Sequence, residues 1–161
     1  MLRLVIAIAS VLLLLQSGCS SWEVTRGYYK GYTDRDLQIL CRDFDVQYTG
    51  AYPGHITLDP NEPYDDARLK KALPYMKRSG VTDLDMSRHP FTDAAIPLIL
   101  QLTDLERLNL SHTEINCSEL TALRSLAHLK ILYIGPCASA TDLHQLKTAI
   151  SKVHITVLVD P

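Results

Sequence analysis

The sequence has no cluster of basic residues and no excess of positive charge. Its formal net charge is −2, with lysine and arginine scattered along the chain. Proteins that bind nucleic acids usually present a basic patch or stripe to the phosphate backbone. The charge pattern therefore argues against nucleic acid as a partner.

Glycine-rich loops and other catalytic motifs are also missing. The seven glycines are isolated, and none belongs to a G-x-G-x-x-G or Walker pattern. His112, Glu114 and Cys117 are residue types that bind zinc, but they lack the paired spacing of a zinc site. Ser111, His112 and Asp85 could form a nucleophilic triad, yet no nucleophile elbow surrounds the serine. The sequence predicts no catalytic residue, no metal ligand, no cofactor and no enzymatic activity.

No apolar run is long enough to cross a bilayer, which takes roughly 20 residues as a helix. The longest run, LVIAIASVLLLL at 4–15, follows Arg3 and is much shorter. A basic start, a short apolar core and small residues before Cys19 are typical of a secretory signal peptide. Because a cysteine follows Ser17 and Gly18, the segment resembles a bacterial lipoprotein signal, whose cysteine is lipidated and becomes the first mature residue.

This resemblance implies a signal peptide at 1–18 and a lipid-modified Cys19. Aspartate after the lipidated cysteine tends to retain a lipoprotein in the inner membrane, so Ser20 indicates the outer membrane. Gln16 stands where that signal prefers an aliphatic residue. Ordinary cleavage with an unmodified cysteine, or an uncleaved anchor, is therefore an alternative. We expect a lipid-anchored protein of the cell envelope at the outer membrane, with a secreted or periplasmic protein as the alternative.

Three stretches of the chain repeat one apolar pattern. The first two are 24 residues long and begin at Val81 and Leu105, and the third begins at Leu129. Their L-x-L half alternates with period two, which predicts a strand with one buried face, and the later apolar residues suit a short helix. Neither half buries its apolar face alone, so the stretches should stack. The aligned apolar pairs are Val81/Leu105, Leu84/Leu108, Met86/Leu110, Phe91/Ile115, Ile96/Leu120, Ile99/Leu123 and Leu102/Leu126.

Weaker copies of the strand pattern flank these stretches, as HITLDP at 55–60 and HITVLVDP at 154–161. In the second copy, Val157 and Val159 take the inner positions. A repeat of this length with L-x-x-L-x-L resembles the leucine-rich repeat family. The resemblance covers about residues 53–161. It implies an α/β fold, namely a short solenoid of about five coils with a parallel sheet on the concave side and short helical or irregular convex segments.

Two features modify what the resemblance implies. Pro74 and Pro97 lie within the predicted outer segments, and each lacks an amide donor, so these segments should be short or irregular. The position at which the family usually carries an asparagine that bridges neighbouring coils holds His89, Thr113 and Cys137. The bridging between coils must therefore differ from the usual pattern.

The segment before the repeats predicts a helix. TDRDLQILCRDF begins with an N-cap at Thr33 or Asp34 and places apolar residues at helical spacing. We interpret 33–52 as an N-terminal cap helix region and 19–32 as the tether behind the lipidated cysteine. At the other end, the last strand presents an open edge, which can pair with another chain. A homodimer through this edge is an alternative to a separate partner.

The cysteines of the predicted mature chain allow two interpretations. Free cysteine is among the most buried residue types, which favours Cys41, Cys117 and Cys137 as small core side chains. The alternative is a disulfide between Cys117 and Cys137, which requires their Cα atoms to lie within about 7 Å.

Strand alternation also predicts the binding face, because residues between the buried leucines must face away from the core. Tyrosine and arginine are frequent anchors of protein interfaces, which favours this face as a contact surface. A solvated outward residue such as Asn109 should lose under about 1 kcal/mol of stability on truncation to alanine. One predicted column holds His55, Asp83, Arg107, Ile131 and Thr156, and the next holds Thr57, Asp85, Asn109, Tyr133 and Leu158.

The sequence therefore predicts a membrane-anchored envelope lipoprotein whose repeat domain binds another protein through its concave face. A structural envelope component that associates with itself is the first alternative, and an envelope enzyme or inhibitor is the second. The expected contact residues are Asp83, Asp85, Arg107, Asn109, Ile131 and Tyr133.

Overall fold

The chain folds around a six-stranded sheet that is parallel except at one edge. The computed structural model describes residues 34–48, 54–59 and 61–159, and these residues form an α/β fold. The strands are β1 Val46–Tyr48, β2 His55–Leu58, β3 Asp83–Asp85, β4 Arg107–Leu110, β5 Ile131–Ile134 and β6 His154–Val157.

Several predicted segments fall outside the described residues. These are the signal peptide at 1–18, the tether at 19–32 with Cys19, and the end of the cap region beyond residue 48. Within the described ranges, no helix combines the length and the apolar character that crossing a membrane requires.

The strands follow one another across the sheet in chain order. β1 runs antiparallel to β2, and each later strand is parallel to the one before it. Leu84 in β3 lies beside Leu108 in β4, and Leu108 lies beside Leu132 in β5. All three side chains are fully buried. The 24-residue alignment of the sequence therefore predicts the pairing of the three central strands.

The predicted register of the last strand is wrong by two residues. Ile131 lies opposite His154 and Tyr133 lies opposite Thr156, whereas the expected partners were Thr156 and Leu158. Ile155, Val157 and Val159 occupy every second position of the segment. Two registers that differ by two residues therefore turn the same side chains toward the core. The observed register leaves Val159 71% exposed.

Each parallel strand from β3 to β5 begins with the same backbone arrangement. The carbonyl groups of Gly54, Thr82 and Glu106 each accept two amide protons from the start of the next strand, over 2.7–3.1 Å. Gly54 has a left-handed φ of 77°, and a Cβ there would lie 2.8 Å from the carbonyl oxygen of Gly80. This position therefore requires glycine, because any side chain would clash with the neighbouring backbone.

The segments between parallel strands are helical and of unequal length, and one continuous apolar core lies between them and the sheet. These segments are α2 Asp66–Arg78, a 3₁₀ helix Asp93–Ala95 that leads into α3 Ile96–Ile99, a 3₁₀ helix Glu119–Ser125, and α4 Ala140–Ala149.

The segment that contains Pro97 is short, as predicted, whereas the prediction of a short segment around Pro74 is wrong. Pro97 lies in the first turn of the four-residue α3, where the missing amide has no intrahelical partner to lose. Pro74 lies inside α2, which is 13 residues long, and α4 has ten residues. Leu69, Leu73 and Met76 bury the inner face of α2. Burial contributes about 2 kcal/mol for each of these side chains, which offsets about 3 kcal/mol lost to an internal proline.

The helix predicted from the residues that follow Thr33 is present as α1 Asp34–Phe44, and it packs against α2 and β1. Leu37 and Leu40 bury its inner face. Arg78 at the end of α2 contacts both carboxylate oxygens of Asp36, at 2.8 and 3.1 Å, and thereby holds the first turn of α1. β1 follows α1 directly and was not predicted, because three residues are too few to show alternation.

Candidate functional site

The sheet face opposite the core, hereafter the outer face, carries two rows of side chains. The rows follow from the strand register, since residues that are Cα partners share one face. The first row holds His55, Asp83, Arg107, Ile131 and His154, and the second holds Thr57, Asp85, Asn109, Tyr133 and Thr156. All six predicted contact residues lie on this face, and the register brings them together on three adjacent strands.

The first row begins with a chain of charges centred on Asp83. Its Oδ2 atom lies 2.9 Å from Nδ1 of His55 and 3.2 Å from Nη1 of Arg107. The contact with His55 is at ion-pair distance but is not an in-line hydrogen bond. Nε2 of His55 lies 3.4 Å from Oγ1 of Thr57. Asp83 is thus held between its neighbours and is only 14% exposed, so it is a poor contact for a partner.

The second row uses two of its side chains to close turns. Oδ1 of Asp85 accepts a hydrogen bond from the amide of Ser87 at 2.9 Å. Oδ1 of Asn109 accepts from the amide of Ser111 at 3.1 Å and from its hydroxyl at 2.8 Å. The expectation that Asn109 is merely solvated is therefore wrong. Asn109 is half-buried and satisfies two donors of Ser111, which is 2% exposed.

Replacing Asn109 by alanine should lower the free energy of unfolding by about 1–3 kcal/mol, because two donors of a buried serine lose their acceptor. Asn109→Asp should lose much less, because aspartate keeps the acceptor oxygen and makes the same turn at Asp85. Urea unfolding of both variants measures the difference. Equal stability of the alanine variant and the natural protein would contradict a role for these hydrogen bonds.

Four side chains of β4 and β5 form a group on the outer face, hereafter the contact patch. Arg107 lies beside Ile131, and Asn109 lies beside Tyr133 on the same two strands. The side chain of Arg107 is 45% exposed, and the other three residues are half-buried. The patch combines a guanidinium group, an amide, a phenol and an aliphatic group. Arginine and tyrosine are frequent anchors of protein interfaces.

Two of the residues considered for catalysis and metal binding have other roles. The hydroxyl of Ser111 donates to Asn109, and Cys117 is part of a disulfide. His112 lies in the turn after β4 with a left-handed φ of 57°. Across residues 34–48, 54–59 and 61–159, no group of three or more histidine, cysteine, aspartate or glutamate side chains is arranged to hold a metal ion.

A buried aromatic cluster lies beneath the first strands. The His89 ring stands edge-on to Tyr64 and Phe91, with centroids 6.2 and 6.0 Å away. His89 is 4% exposed and Tyr64 is fully buried. Burial lowers the pKa of His89 below its ordinary value of 6.5, although a hydrogen bond to the Leu58 backbone and the charge of Asp85 act in the opposite direction. The imidazole is therefore held neutral inside the core.

This histidine should make the fold sensitive to acid. Above pH 6.5 both states hold a neutral His89, but below it the unfolded chain binds a proton that the folded chain resists. The free energy of unfolding therefore decreases as the pH falls below 6.5, and it continues to decrease until the pH reaches the lowered pKa of His89 in the folded chain. Urea unfolding of the natural protein and of His89→Gln at pH 7.5 and pH 5.5 should show a larger loss for the natural protein. If both proteins lose the same free energy of unfolding between pH 7.5 and pH 5.5, groups other than His89 cause the acid sensitivity.

The preference for three free, buried cysteines is wrong, because none of the described cysteines is free. Cys41 is buried as expected, but it is disulfide-bonded. Cys117 and Cys137 form a disulfide with an S–S distance of 2.02 Å and a Cα–Cα distance of 5.6 Å, and both are half-buried. Cys117 lines a cavity of about 240 Å³ together with Ile115 and Ile134. The two cysteines occupy different positions of their stretches, which hid the pairing. Their separation of 20 residues, close to the repeat length, was the available indication.

Comparisons with known proteins identify no relative. The chain matches no family model, no curated protein and no solved structure.

Proposed function

We propose that residues of about 53–161 form a short leucine-rich repeat solenoid. Three observations support this proposal. The strands are ordered as in the chain, the central strands pair with Leu84, Leu108 and Leu132 in one row, and one apolar core joins the successive segments. A stack in which each unit contacts its neighbours gives this pattern.

Two of the bridges between neighbouring coils are made by aspartates. Asp66 accepts from the hydroxyl and the amide of Thr92 at 2.5 and 3.2 Å. Asp93 accepts from the amide and the side chain of Asn116 at 2.8 and 2.7 Å. Each carboxylate lies at the start of an outer helix and reaches the next coil. They add to the bridging at the usual asparagine position. There His89 hydrogen-bonds the backbone of Leu58 in the preceding coil, whereas Thr113 donates within its own coil to the Leu110 carbonyl.

The cell envelope is the compartment that the chain fits best. The lipoprotein-like segment ending at Cys19 supports export and lipid anchoring. The disulfide between Cys117 and Cys137 supports the same compartment independently, because disulfides persist in the periplasm and outside the cell and are rare in the cytosol. Lipid chains on one residue would hold the domain at the membrane, since each buried methylene contributes about 0.8 kcal/mol.

In this envelope lipoprotein, the outer face binds another protein. The observation that carries the proposal is the contact patch, where Arg107, Asn109, Ile131 and Tyr133 lie side by side on β4 and β5. Asp83 and Asp85 support the patch from β3, because one pairs with Arg107 and the other closes a turn. The partner is one compact surface, since a short stack offers no long groove to wrap a ligand.

Crosslinking and capture from an envelope extract test this proposal. The natural chain should capture one protein that the double variant Arg107→Gln, Tyr133→Ala does not. Glutamine avoids placing a second carboxylate beside Asp83. Arg124→Glu is the control, since Arg124 is exposed on a convex 3₁₀ helix, and it should capture like the natural chain. Equal capture by all three proteins would move the site away from the outer face.

The anchor has its own test. The natural chain should fractionate with membranes and carry covalent lipid, whereas Cys19→Ser should lose the lipid and accumulate uncleaved. A mature natural protein that begins at residue 19 without lipid would support ordinary secretion instead.

Self-association through β6 is the second candidate. Among the described strands β6 pairs with β5, and its residues remain half-exposed or exposed, so its outer edge could pair with another chain. Light scattering of the natural chain over a range of concentrations distinguishes the two functions. A dimer that grows with concentration, together with capture of nothing but the chain itself, would favour the structural alternative.

A further inference from the structure

The exposed face of α2 carries positive charge without negative charge. Six residues of this helix are exposed, and they lie on one arc of about 120°, since successive residues turn by roughly 100°. The only acid of the helix is Asp66 in the first turn, which is bound to Thr92. The exposed residues are Ala67, Lys70, Lys71, Pro74, Lys77 and Arg78.

Three of these cations have no partner of their own. Arg78 is paired with Asp36, and Arg68 on the flank of α2 is paired with Asp45. Within the described ranges, Lys70, Lys71 and Lys77 form no ion pair. Other exposed cations that form no ion pair in these ranges, such as Arg124, Lys147 and Lys152, are spread over separate segments, whereas the three lysines of α2 lie on one face of a single helix. The three lysines, hereafter the lysine face, are therefore a concentration of uncompensated charge in a chain whose net charge is −2.

The position of α1 brings the lysine face near the point where the chain would approach a membrane. Asp36 in the first turn of α1 is held by Arg78, one residue after Lys77. Cys19 precedes Asp34 by 15 positions, which limits the distance between them to about 50 Å at full extension. A domain anchored at Cys19 therefore keeps the end of α2 within reach of the lipid surface.

We propose that the lysine face is a second membrane contact, which binds the anionic headgroups of phospholipids and orients the anchored domain. The inference rests on the proposed lipid anchor. Juxtamembrane lysines gain free energy from an anionic surface, and this gain falls off within one Debye length. With α2 against the lipid, the contact patch on the opposite side of the core stays accessible to a protein partner.

Cosedimentation of the purified full chain with vesicles tests the inference. One set of vesicles is phosphatidylcholine, and the other contains one third phosphatidylglycerol. At about 50 mM NaCl the natural chain should bind the anionic vesicles at least about tenfold more tightly than the neutral ones, and about 500 mM should abolish that excess. In this unprocessed chain the segment at 4–15 carries no charge, so its contribution to binding should be equal for the two vesicle types.

Two matched triple variants locate the effect. Lys70→Gln, Lys71→Gln, Lys77→Gln should lose the preference for anionic vesicles. Arg124→Gln, Lys147→Gln, Lys152→Gln removes equal charge from exposed positions of the later coils and should keep it. Circular dichroism melting confirms that both variants fold.

Any other result overturns the inference. Equal binding of the natural chain to both vesicle types, an unchanged preference in the lysine variant, or an equal loss in both triple variants would each do so. A negative result in the vesicle experiment does not affect the crosslinking experiment, because the outer-face variants are tested without vesicles. Failure of capture likewise leaves the vesicle result intact.

Discussion

Leu108→Ala should lower the free energy of unfolding by about 2–5 kcal/mol, which is the range for truncating a fully buried leucine. Leu108 is 0% exposed and lies between Leu84 and Leu132, which are also 0% exposed. Neighbouring strands hold the backbone on both sides, so the cavity cannot collapse readily and the loss should fall in the upper half of this range. Urea unfolding followed by circular dichroism measures it.

The matched control is Leu108→Ile, which keeps the volume and should lose less than about 1.5 kcal/mol. Leu84→Ala and Leu132→Ala test whether the three positions are equivalent, and each should lose an amount similar to that of Leu108→Ala. An unchanged melting curve for Leu108→Ala would mean that the inner and outer faces of the sheet are assigned the wrong way round.

Removing the disulfide with Cys117→Ala, Cys137→Ala should destabilise the fold by about 3 kcal/mol. The bond closes a loop of 20 residues, and cross-linking a loop of about this length restricts the unfolded chain by roughly that amount. The loss should appear mainly as a lower urea midpoint. The slope of the unfolding transition should rise, because the unfolded chain without the bond exposes more surface.

Cys117→Ser, Cys137→Ser separates the cross-link from side-chain packing. Both cysteines are half-buried, so serine and alanine should give nearly equal losses if the bond itself is responsible. A serine variant much less stable than the alanine variant would place the effect in the apolar surroundings of the sulfur atoms. Retention of full stability by both variants would show that the bond does not restrain the unfolded chain.

The inner positions of the central strands could be predicted because they depend on a local rule. Strand residues alternate between two faces, so Leu84, Leu108 and Leu132 had to share one side once the period was known. The same rule placed Arg107 and Tyr133 on the outer face. The rule could not determine the register in which β6 pairs with β5. A shift by two residues preserves the alternation and keeps the same side chains on the core side.

The roles of individual polar residues were less predictable. Asn109 was assigned to solvent, yet its oxygen closes the turn that buries Ser111. Asp83 was expected to contact a partner, yet His55 and Arg107 flank it on both sides. Alternation predicts the face of the sheet on which a side chain lies. The residues that it contacts there depend on the neighbouring strand and turn.

The sequence by itself determined the α/β class, the pairing of the central strands, the helix before them and the inward leucines, because each follows from the spacing of apolar residues along the chain. Only the tertiary structure showed that Cys117 and Cys137 are bonded and which register β6 adopts. It also showed that Pro74 lies within a long helix and that three lysines without ion pairs share one face of that helix. These features depend on distances between residues that lie far apart in sequence, and on whether burial elsewhere outweighs a local penalty.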